Sequence, residues 1–97
     1  MTEGKRMDKK LKAKWVAALT SEKYSQTQHR LRDGFGGYCC LGVLHLVATG
    51  KEPPTLWDDD RPVCVRRLGK SIELELARMN DEGVPFEVIA GLIHEVL

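Results

Sequence analysis

A single apolar segment dominates the middle of this sequence. Residues 39–49 read Cys-Cys-Leu-Gly-Val-Leu-His-Leu-Val-Ala-Thr, and Gly50 follows as a residue suited to ending a helix. Drawn as a helix at about 100° per residue, the segment is apolar around nearly its whole circumference, with only His45 and Thr49 interrupting. Because such a helix has no face that prefers water, other elements must cover it. The segment therefore predicts a central helix on which the rest of the fold is assembled.

Amphipathic segments on both sides of the central helix can supply that cover. Asp8 is the predicted N-cap of a helix over residues 9–21, and Trp15 is the main anchor on its apolar face. In the C-terminal half, Ser71 is the predicted N-cap of a helix that ends near Gly83. Pro85 opens the last helix, and a further short helix is predicted from residue 62 to residue 68. The apolar faces of the last two long helices are Ile72, Leu76 and Met79, then Phe86, Ile89, Ala90, Ile93 and Leu97.

Residues 27–38 differ from these helical segments. Residues 27–32 can be extended, residues 33–37 read Asp-Gly-Phe-Gly-Gly and tolerate positive φ, and Tyr38 can return as a short partner strand. We therefore predict a mainly α fold, a compact bundle of four or five short helices around the central apolar helix, with a small two-stranded hairpin. An α+β fold is the alternative. Two strands alone are barely stable, so the hairpin must lean on the helices.

The chain length of 97 residues predicts one helical domain over residues 8–97, with a flexible arm over residues 1–7. No apolar run approaches the roughly 18–20 residues needed to span a bilayer, and the charged N-terminus is not that of a signal peptide. The three cysteines are odd in number, and Cys39 and Cys40 are adjacent, which is a poor disulfide framework. We therefore expect reduced thiols in the cytoplasm. A chain this short buries limited surface, so homo-oligomers would gain stability.

The charge is unevenly divided along the chain. Residues 1–32 hold nine Lys and Arg against three Asp and Glu, whereas residues 33–97 hold six against eleven. Two interpretations stay open: a basic surface that contacts a polyanion, or two halves that attract each other. The candidate residues for nucleic-acid binding are Lys9, Lys10 and Lys14 on the first predicted helix. A solvated helix face is the simpler interpretation, because no helix-turn-helix with a basic second helix is evident.

Cys39 and Cys40 are weak candidates for a catalytic nucleophile. If either begins the central helix, unpaired amides and the helix dipole would lower its pKa, and His29 or His45 could act as base. The alternative, which we favour, is that both are small buried apolar side chains, as free cysteines commonly are. The sequence leaves catalysis open and favours a protein that is not an enzyme.

Metal and cofactor sites are not expected. Three cysteines and three histidines could supply zinc ligands, but structural zinc sites use ligands paired at short, regular spacing. The nearest match joins Cys40 to His45, and adjacent cysteines on a regular helix cannot easily reach one ion. Asp58 and Asp59 belong to an acidic run without the alternating spacing of a calcium loop. That run is either solvated or imitates the charge of nucleic acid toward a basic partner. We predict no metal and no cofactor.

The glycine-rich turn carries the candidate ligand site. Backbone amides of such a turn, together with arginine side chains and an aromatic face, could hold an anionic or nucleotide-like ligand. The competing interpretation is a hairpin turn with exposed arginines, because turns use Gly and Asp for backbone reasons alone. The candidate residues are Arg30, Arg32, Asp33, Tyr38 and, from the connection that follows the central helix, Trp57.

Several stretches of the sequence carry a family resemblance. They are Lys14-Trp-Val-Ala-Ala-Leu19, Leu31-Arg-Asp-Gly34, Gly37-Tyr-Cys-Cys-Leu-Gly-Val-Leu44, and Met79-Asn-Asp-Glu-Gly83 with the terminal helix. The chain resembles, in these stretches, a group of small uncharacterised bacteriophage and prophage proteins. The resemblance implies a phage-encoded accessory protein that works in the bacterial host cytoplasm, and it implies no particular chemistry.

These features favour a non-enzymatic accessory protein that binds and modulates or inhibits a host bacterial protein, with inhibition of a defence component as one form of that activity. Small size, bipolar charge, the missing catalytic constellation and the resemblance motivate this hypothesis. One alternative is a protein that binds and sequesters a small nucleotide-like signalling molecule. Another is a nucleic-acid-binding protein that uses the basic N-terminal helix. Neither alternative requires catalysis.

Overall fold

Four α-helices and one very small sheet form the fold in a computed structural model, which describes residues 8–28, 30–53, 65 and 67–97. The mainly helical prediction is confirmed. The predicted arm, and most of the short helix predicted from residue 62, lie outside the described residues. No helix in the described part combines the length and the apolar character needed to cross a membrane. In chain order the elements are α1 (Lys9–Thr20), β1 (Ser25–Gln26), β2 (Gly37–Tyr38), α2 (Cys40–Thr49), α3 (Lys70–Asp81) and α4 (Phe86–Val96).

Helix α1 begins where the sequence predicts. The carboxylate of Asp8 accepts a hydrogen bond of 2.9 Å from the amide of Leu11, which satisfies one of the free amides at the start of the helix. The buried side chains of this helix are Trp15 and Leu19, and they face α2 and α4. Trp15 is fully buried, so the prediction that it anchors α1 on the core is confirmed.

Helix α2 is the central element, although only its first half is covered on all sides. Residues 40–44 are buried, whereas residues 45–47 are half-buried and residues 48–49 are exposed. The expectation of an apolar helix covered along its whole length is therefore wrong for the last turn and a half. Gly50 ends the helix with φ of 75°, as predicted. Within the buried half, a Cβ at Gly42 would collide with the carbonyl oxygen of Leu31. The backbone at Leu31 can pack this closely against α2 because residue 42 is glycine.

The small sheet pairs β1 with β2 in parallel, with Ser25 opposite Gly37. The predicted hairpin is present only as a tight antiparallel loop: Arg32 forms an antiparallel bridge with Tyr38, and the amide of Cys39 donates to the carbonyl of Leu31 at 3.1 Å. Tyr38 is therefore bonded on both sides. This arrangement differs from a simple hairpin because β2 takes its main partner from residues before the predicted strand.

The C-terminal half is a helical hairpin formed by α3 and α4. Helix α3 starts from Gly69 rather than from the predicted cap Ser71. Its end agrees with prediction: Gly83 has φ of 85°, and the amide of Val84 donates to the carbonyl of Met79 at 3.0 Å, which closes a Schellman motif. Pro85 precedes α4 as predicted. The predicted apolar face of α4 is buried throughout, at Phe86, Ile89, Ala90, Ile93 and Leu97.

A buried amide joins the sheet to α2 and α3. The side chain of Asn80 is fully buried, and its oxygen accepts hydrogen bonds from the amide of Cys40 at 3.1 Å and from Gln26 Nε2 at 3.0 Å. Its nitrogen donates to the carbonyl of Thr27 at 2.6 Å. Gln26 also donates to the carbonyl of Val84 at 2.7 Å. Because the amide of Cys40 would otherwise be buried without this partner, Asn80 fixes how the three elements meet.

Candidate functional site

The turn over residues 33–37, the glycine turn, is held rigidly by its first residue. The carboxylate of Asp33 accepts hydrogen bonds from the amides of Phe35 at 2.7 Å and of Gly37 at 2.9 Å. The amide of Asp33 in turn donates to the carbonyl of Gly37 at 3.0 Å. The hydrogen bonds from Phe35 and Gly37 lower the pKa of Asp33 below its usual value. Asp33 is thus a structural cap of the turn.

Phe35 stands at the tip of the glycine turn and is 94% exposed. It lies between Gly34 and Gly36, whose φ angles of 81° and 89° turn the chain sharply on either side of it. A phenylalanine normally gains stability by burying its ring. Here the fold instead presents the ring to solvent on a turn that is closed by hydrogen bonds to Asp33. Phe35 was not among the predicted site residues, although an aromatic residue between turn glycines is visible in the sequence.

Arg32 and Tyr38 meet at Glu52 beside the glycine turn. The Nε of Arg32 donates to the carbonyl of Pro53 at 2.6 Å and lies 4.0 Å from a carboxylate oxygen of Glu52. The hydroxyl of Tyr38 lies 2.7 and 2.9 Å from the two oxygens of the same carboxylate. This hydrogen bond raises the pKa of Tyr38, because ionisation would place two negative charges together. These residues and the turn glycines enclose a groove of about 310 Å³.

Of the predicted ligand residues, Arg32 and Tyr38 line this groove together, but the charges around them do not suit an anion. Arg32 is already engaged by Pro53 and Glu52, and the amides of Phe35 and Gly37 are occupied by the carboxylate of Asp33. Arg30 is exposed and lies outside the lining of the groove. An anionic ligand would also meet the negative charge of Glu52. The geometry thus disfavours the nucleotide-like ligand that the sequence suggested. Trp57 lies outside the described residues, as do Asp58 and Asp59.

Two tyrosines connect the glycine turn to the end of α1. The rings of Tyr24 and Tyr38, the tyrosine pair, meet edge to face with centroids 5.6 Å apart and planes at 89°. The Nζ of Lys23 lies 5.6 Å from the centre of the Tyr24 ring, within the range of a cation–π contact. Tyr24 did not emerge from the sequence, because its role depends on the parallel pairing of β1 with β2.

A second groove, the acidic groove, lies on the other side of Tyr24 and has a volume of about 250 Å³. It is formed where the end of α1 meets the start of α4. Its two acidic residues, Glu22 and Glu87, are exposed. Glu22 has φ of 64° and is the one non-glycine residue with positive φ in the described part of the chain. The lining residues are Leu19, Glu22, Tyr24, Gln26, Pro85, Phe86 and Glu87.

The two adjacent cysteines are buried and held as neutral thiols. Cys39 is the N-cap of α2, and its sulfur accepts a hydrogen bond of 3.4 Å from the amide of Gly42. Burial nevertheless raises its pKa to about 11, because loss of water around the thiolate outweighs the helix amides. Burial likewise raises the pKa of Cys40 well above its ordinary value. The expectation that the helix start would lower these pKa values is wrong.

No group of three His, Cys, Asp or Glu side chains within the described segments is placed to hold a metal ion. His29 and Cys64, two of the candidate ligands in the sequence, fall in the parts of the chain that are not described. His45 is half-buried on α2, and burial lowers its pKa. A neutral imidazole is therefore favoured at this position near neutral pH.

The lysines proposed for nucleic-acid binding lie on the solvent side of α1. Lys9, Lys10 and Lys14 are all exposed, and none forms an ion pair with another described residue. Lys14 also borders a shallow apolar depression with Tyr24. Lys12, by contrast, is half-buried and donates to the carbonyl of His94 at 3.5 Å. The basic charge is therefore accessible along one face of the helix.

Comparison with protein families gives a match over the N-terminal two thirds of the chain. Residues 7–67 match the family described as Domain of unknown function (DUF8296). No curated protein and no solved structure matches the chain. The matched segment contains α1, the glycine turn and α2, and it ends before α3. Because the match spans more than half of the sequence, the protein belongs to the DUF8296 family.

Proposed function

We propose that this protein acts by binding another protein, without catalysing a reaction, and that the glycine turn provides the main contact. The observation that carries the proposal is the exposed ring of Phe35 on a turn fixed by Asp33. Aromatic residues contribute disproportionately to the affinity of protein interfaces. A ring on a preorganised turn loses little conformational entropy on docking, so more of its burial free energy contributes to affinity.

The surroundings of Phe35 support a binding surface of useful size. The groove beside the turn is lined by Gly34 and Gly36, the two neighbours of Phe35, and by Tyr38, so the exposed ring and the groove belong to the same loop. Tyrosine suits such a surface because it offers both apolar area and a hydrogen-bonding group. The neutral, buried thiols of Cys39 and Cys40 support a non-catalytic role, since the thiolate is the reactive form of cysteine.

The partner we propose is a bacterial host protein in the cytoplasm, bound by a phage-encoded accessory protein. Support for this part comes from the resemblance of the Tyr38-to-Leu44 motif to small phage proteins. Inhibition of a host defence component is the specific form of the proposal. It accords with the small size of the chain, since a protein of this size can act by occupying a surface of its target.

The proposal is tested by affinity capture from bacterial lysate with three versions of the tagged protein. The unmodified protein and the L74A variant should retain a common stoichiometric partner, whereas the F35A variant should lose it. Leu74 is a matched control because it is also apolar and exposed, at 53%, but lies on α3. Equal thermal stability of the three proteins would show that binding alone has changed. Equal recovery of the partner by F35A and L74A would refute the proposed role of the turn.

Nucleic-acid binding through α1 is the second candidate function. It is favoured by the exposure of Lys9, Lys10 and Lys14 without ion pairing to described residues. Binding of this kind releases counterions, so affinity should fall steeply as salt concentration rises. A variant with all three lysines changed to glutamine should abolish binding to duplex DNA or RNA. Binding that is absent in low salt, or unchanged by the triple substitution, would remove this candidate.

A further inference from the structure

The acidic groove offers a binding surface that the glycine turn does not explain. We propose that it receives a lysine or arginine side chain from the bound protein, an inference that rests on the proposed function for the nature of the partner. The groove would then determine specificity, because it selects one charged side chain, while Phe35 supplies apolar contact. The argument for a cation comes from the walls of the groove, its polar atoms and its charge.

The walls of the groove suit the aliphatic part of a long side chain. Leu19 and Phe86 form its floor and are only 2% and 7% exposed, so both are firmly packed in the core. Tyr24 is half-buried and supplies an aromatic side wall. Lysine and arginine carry apolar stems that pack against such surfaces while their charged ends stay near water. A shorter cationic group would leave this apolar floor uncovered.

The polar atoms of the groove are mainly hydrogen-bond acceptors. Glu22 and Glu87 each contribute a carboxylate, and neither makes an ion pair or hydrogen bond with a described side chain. The Nε2 of Gln26 is directed away to Asn80 and Val84, which leaves its carbonyl oxygen as the remaining polar atom of that amide. Ammonium and guanidinium groups carry only donors, so they match this set, whereas an anion would be repelled.

Charge and aromaticity act together at this position. Glu22 and Glu87 form no ion pair with a described residue, so their two carboxylates give the groove a local negative potential that attracts cations. The ring of Tyr24 already accepts a cation on this protein, since Lys23 Nζ lies 5.6 Å from its centre. The groove is also continuous with the proposed interface, because Tyr24 contacts Tyr38 edge to face. A protein partner that contacts Tyr24 as well as Tyr38 would therefore reach a residue that lines the groove.

The test uses the intact protein and two small probes, N-acetyl-arginine amide and N-acetyl-citrulline amide. Citrulline has nearly the shape of arginine but carries no charge. In an NMR titration, the arginine probe should shift the backbone amides of Leu19, Glu22 and Glu87 with millimolar affinity, and the citrulline probe should not. The arginine shifts should weaken as salt is added, because both carboxylates are exposed to solvent.

Variants that remove one carboxylate charge at a time identify the residues that bind the arginine probe. E22Q and E87Q should each reduce the affinity for the arginine probe by about two- to fivefold, the range expected for one exposed ion pair. E95Q makes the same change of net charge on an exposed position of α4 away from the groove, so it should leave the affinity unchanged. Equal shifts with citrulline, equal effects of E22Q and E95Q, or shifts that map elsewhere would each overturn the proposal.

The result is separable from the test of Phe35. The probe titration needs no partner, so arginine binding at Glu22 and Glu87 would stand even if F35A retained its captured protein. In that case the proposal that the acidic groove binds a cation would be correct, and the proposed role of the glycine turn would be wrong. If the probe fails to bind while F35A still loses the partner, the proposed role of the glycine turn would be correct, and the proposal that the acidic groove binds a cation would be wrong.

Discussion

The indole nitrogen of Trp15 donates a hydrogen bond of 2.8 Å to the carbonyl oxygen of Cys40 inside the core. This contact links the middle of α1 to the first turn of α2. It also explains why the only buried tryptophan in the described residues lies beside the cysteine pair: the indole fills the space against α2 while its N–H finds an acceptor. The contact thereby holds together α1 and α2, two helices of the family-matched segment.

Replacing Trp15 with phenylalanine should destabilise the protein by about 1–3 kcal/mol, since the change removes a buried hydrogen bond and leaves a small cavity. Urea denaturation followed by circular dichroism measures this loss. The slope of the unfolding free energy against urea concentration should stay the same, because the surface exposed on unfolding barely changes. An unchanged transition midpoint would show that the contact contributes little to stability.

Replacing Asn80 with leucine should cost about 3 kcal/mol or more. The leucine has a similar volume but leaves the buried amide of Cys40 and the half-buried carbonyl of Thr27 without their partners, and a buried group without a partner carries a penalty of about 1–3 kcal/mol. Gln28 is the control, because it is an exposed amide close by, and Q28L should change stability little. Similar losses for N80L and Q28L, compared by denaturant titration, would contradict the role of Asn80.

Two glycines within helices should respond in opposite directions to the same substitution. Gly91 on α4 is exposed with open space around its Cα, so G91A should stabilise the protein by about 0.5–1 kcal/mol through better helix propensity. G42A should destabilise it, because the new methyl group would collide with the carbonyl of Leu31. Thermal unfolding of the two variants measures both effects. A stabilising G42A would mean that the loop before α2 yields easily.

Alkylation should reveal the state of the two adjacent thiols. In the folded protein at pH 8, iodoacetamide should modify Cys39 and Cys40 far more slowly than in denaturant, because burial keeps them neutral and covered. Peptide mapping by mass spectrometry separates them from Cys64. Fast modification of either residue in the folded state would reopen a catalytic role.

The same burial links the thiol to alkaline stability. Folding raises the pKa of Cys39 from 9.0 to about 11, so the folded state favours the protonated thiol. Its contribution to stability is complete below about pH 9 and disappears as the pH rises through about 11. Replacing Cys39 with alanine should reduce the steepness of the loss of stability over this interval, measured as the free energy of unfolding against pH.

Tyr38 should ionise at a higher pH than an ordinary tyrosine, whose pKa is 10.0, because its hydroxyl donates to Glu52. The raised pKa means that this hydrogen bond stabilises the fold below about pH 10 and is lost as Tyr38 ionises. In E52Q the pKa of Tyr38 should fall back toward 10.0, as measured by the NMR chemical shift of its ring carbon. E95Q should leave that pKa unaltered. A titration of Tyr38 that is the same in E52Q and the unmodified protein would contradict the interaction.

Helix ends in this protein could be predicted from the sequence because the chemistry that ends a helix is local. The carboxylate of Asp8 reaches an amide three residues away, and Gly50 and Gly83 adopt the left-handed conformation that their own backbone permits. The exception is informative. The N-cap of helix α3 is Gly69, which forms no side-chain cap, although the sequence favours Ser71 as the N-cap residue.

The sheet and the candidate binding surface depended on contacts that the sequence pattern does not show. The strand preceding Tyr38 in the prediction was the adjacent segment, yet β2 pairs with Ser25 and Gln26. That pairing is stabilised by Asn80, which lies 54 residues from Gln26. Long-range hydrogen bonds of this kind carry no periodic signal. For the same reason, Tyr24 and the acidic groove could not be predicted from the sequence.

The sequence by itself determined where the helices lie, which face of each is apolar, and that two thiols stand at the start of the central helix. Only the tertiary structure decided whether those thiols are buried and protonated or exposed and reactive. Local helix amides favour a thiolate at Cys39, but the side chains that cover it come from distant parts of the chain, and the lost hydration outweighs the amides. Desolvation is set by everything packed around a group, which is why the sign of this pKa shift could not be read from neighbouring residues.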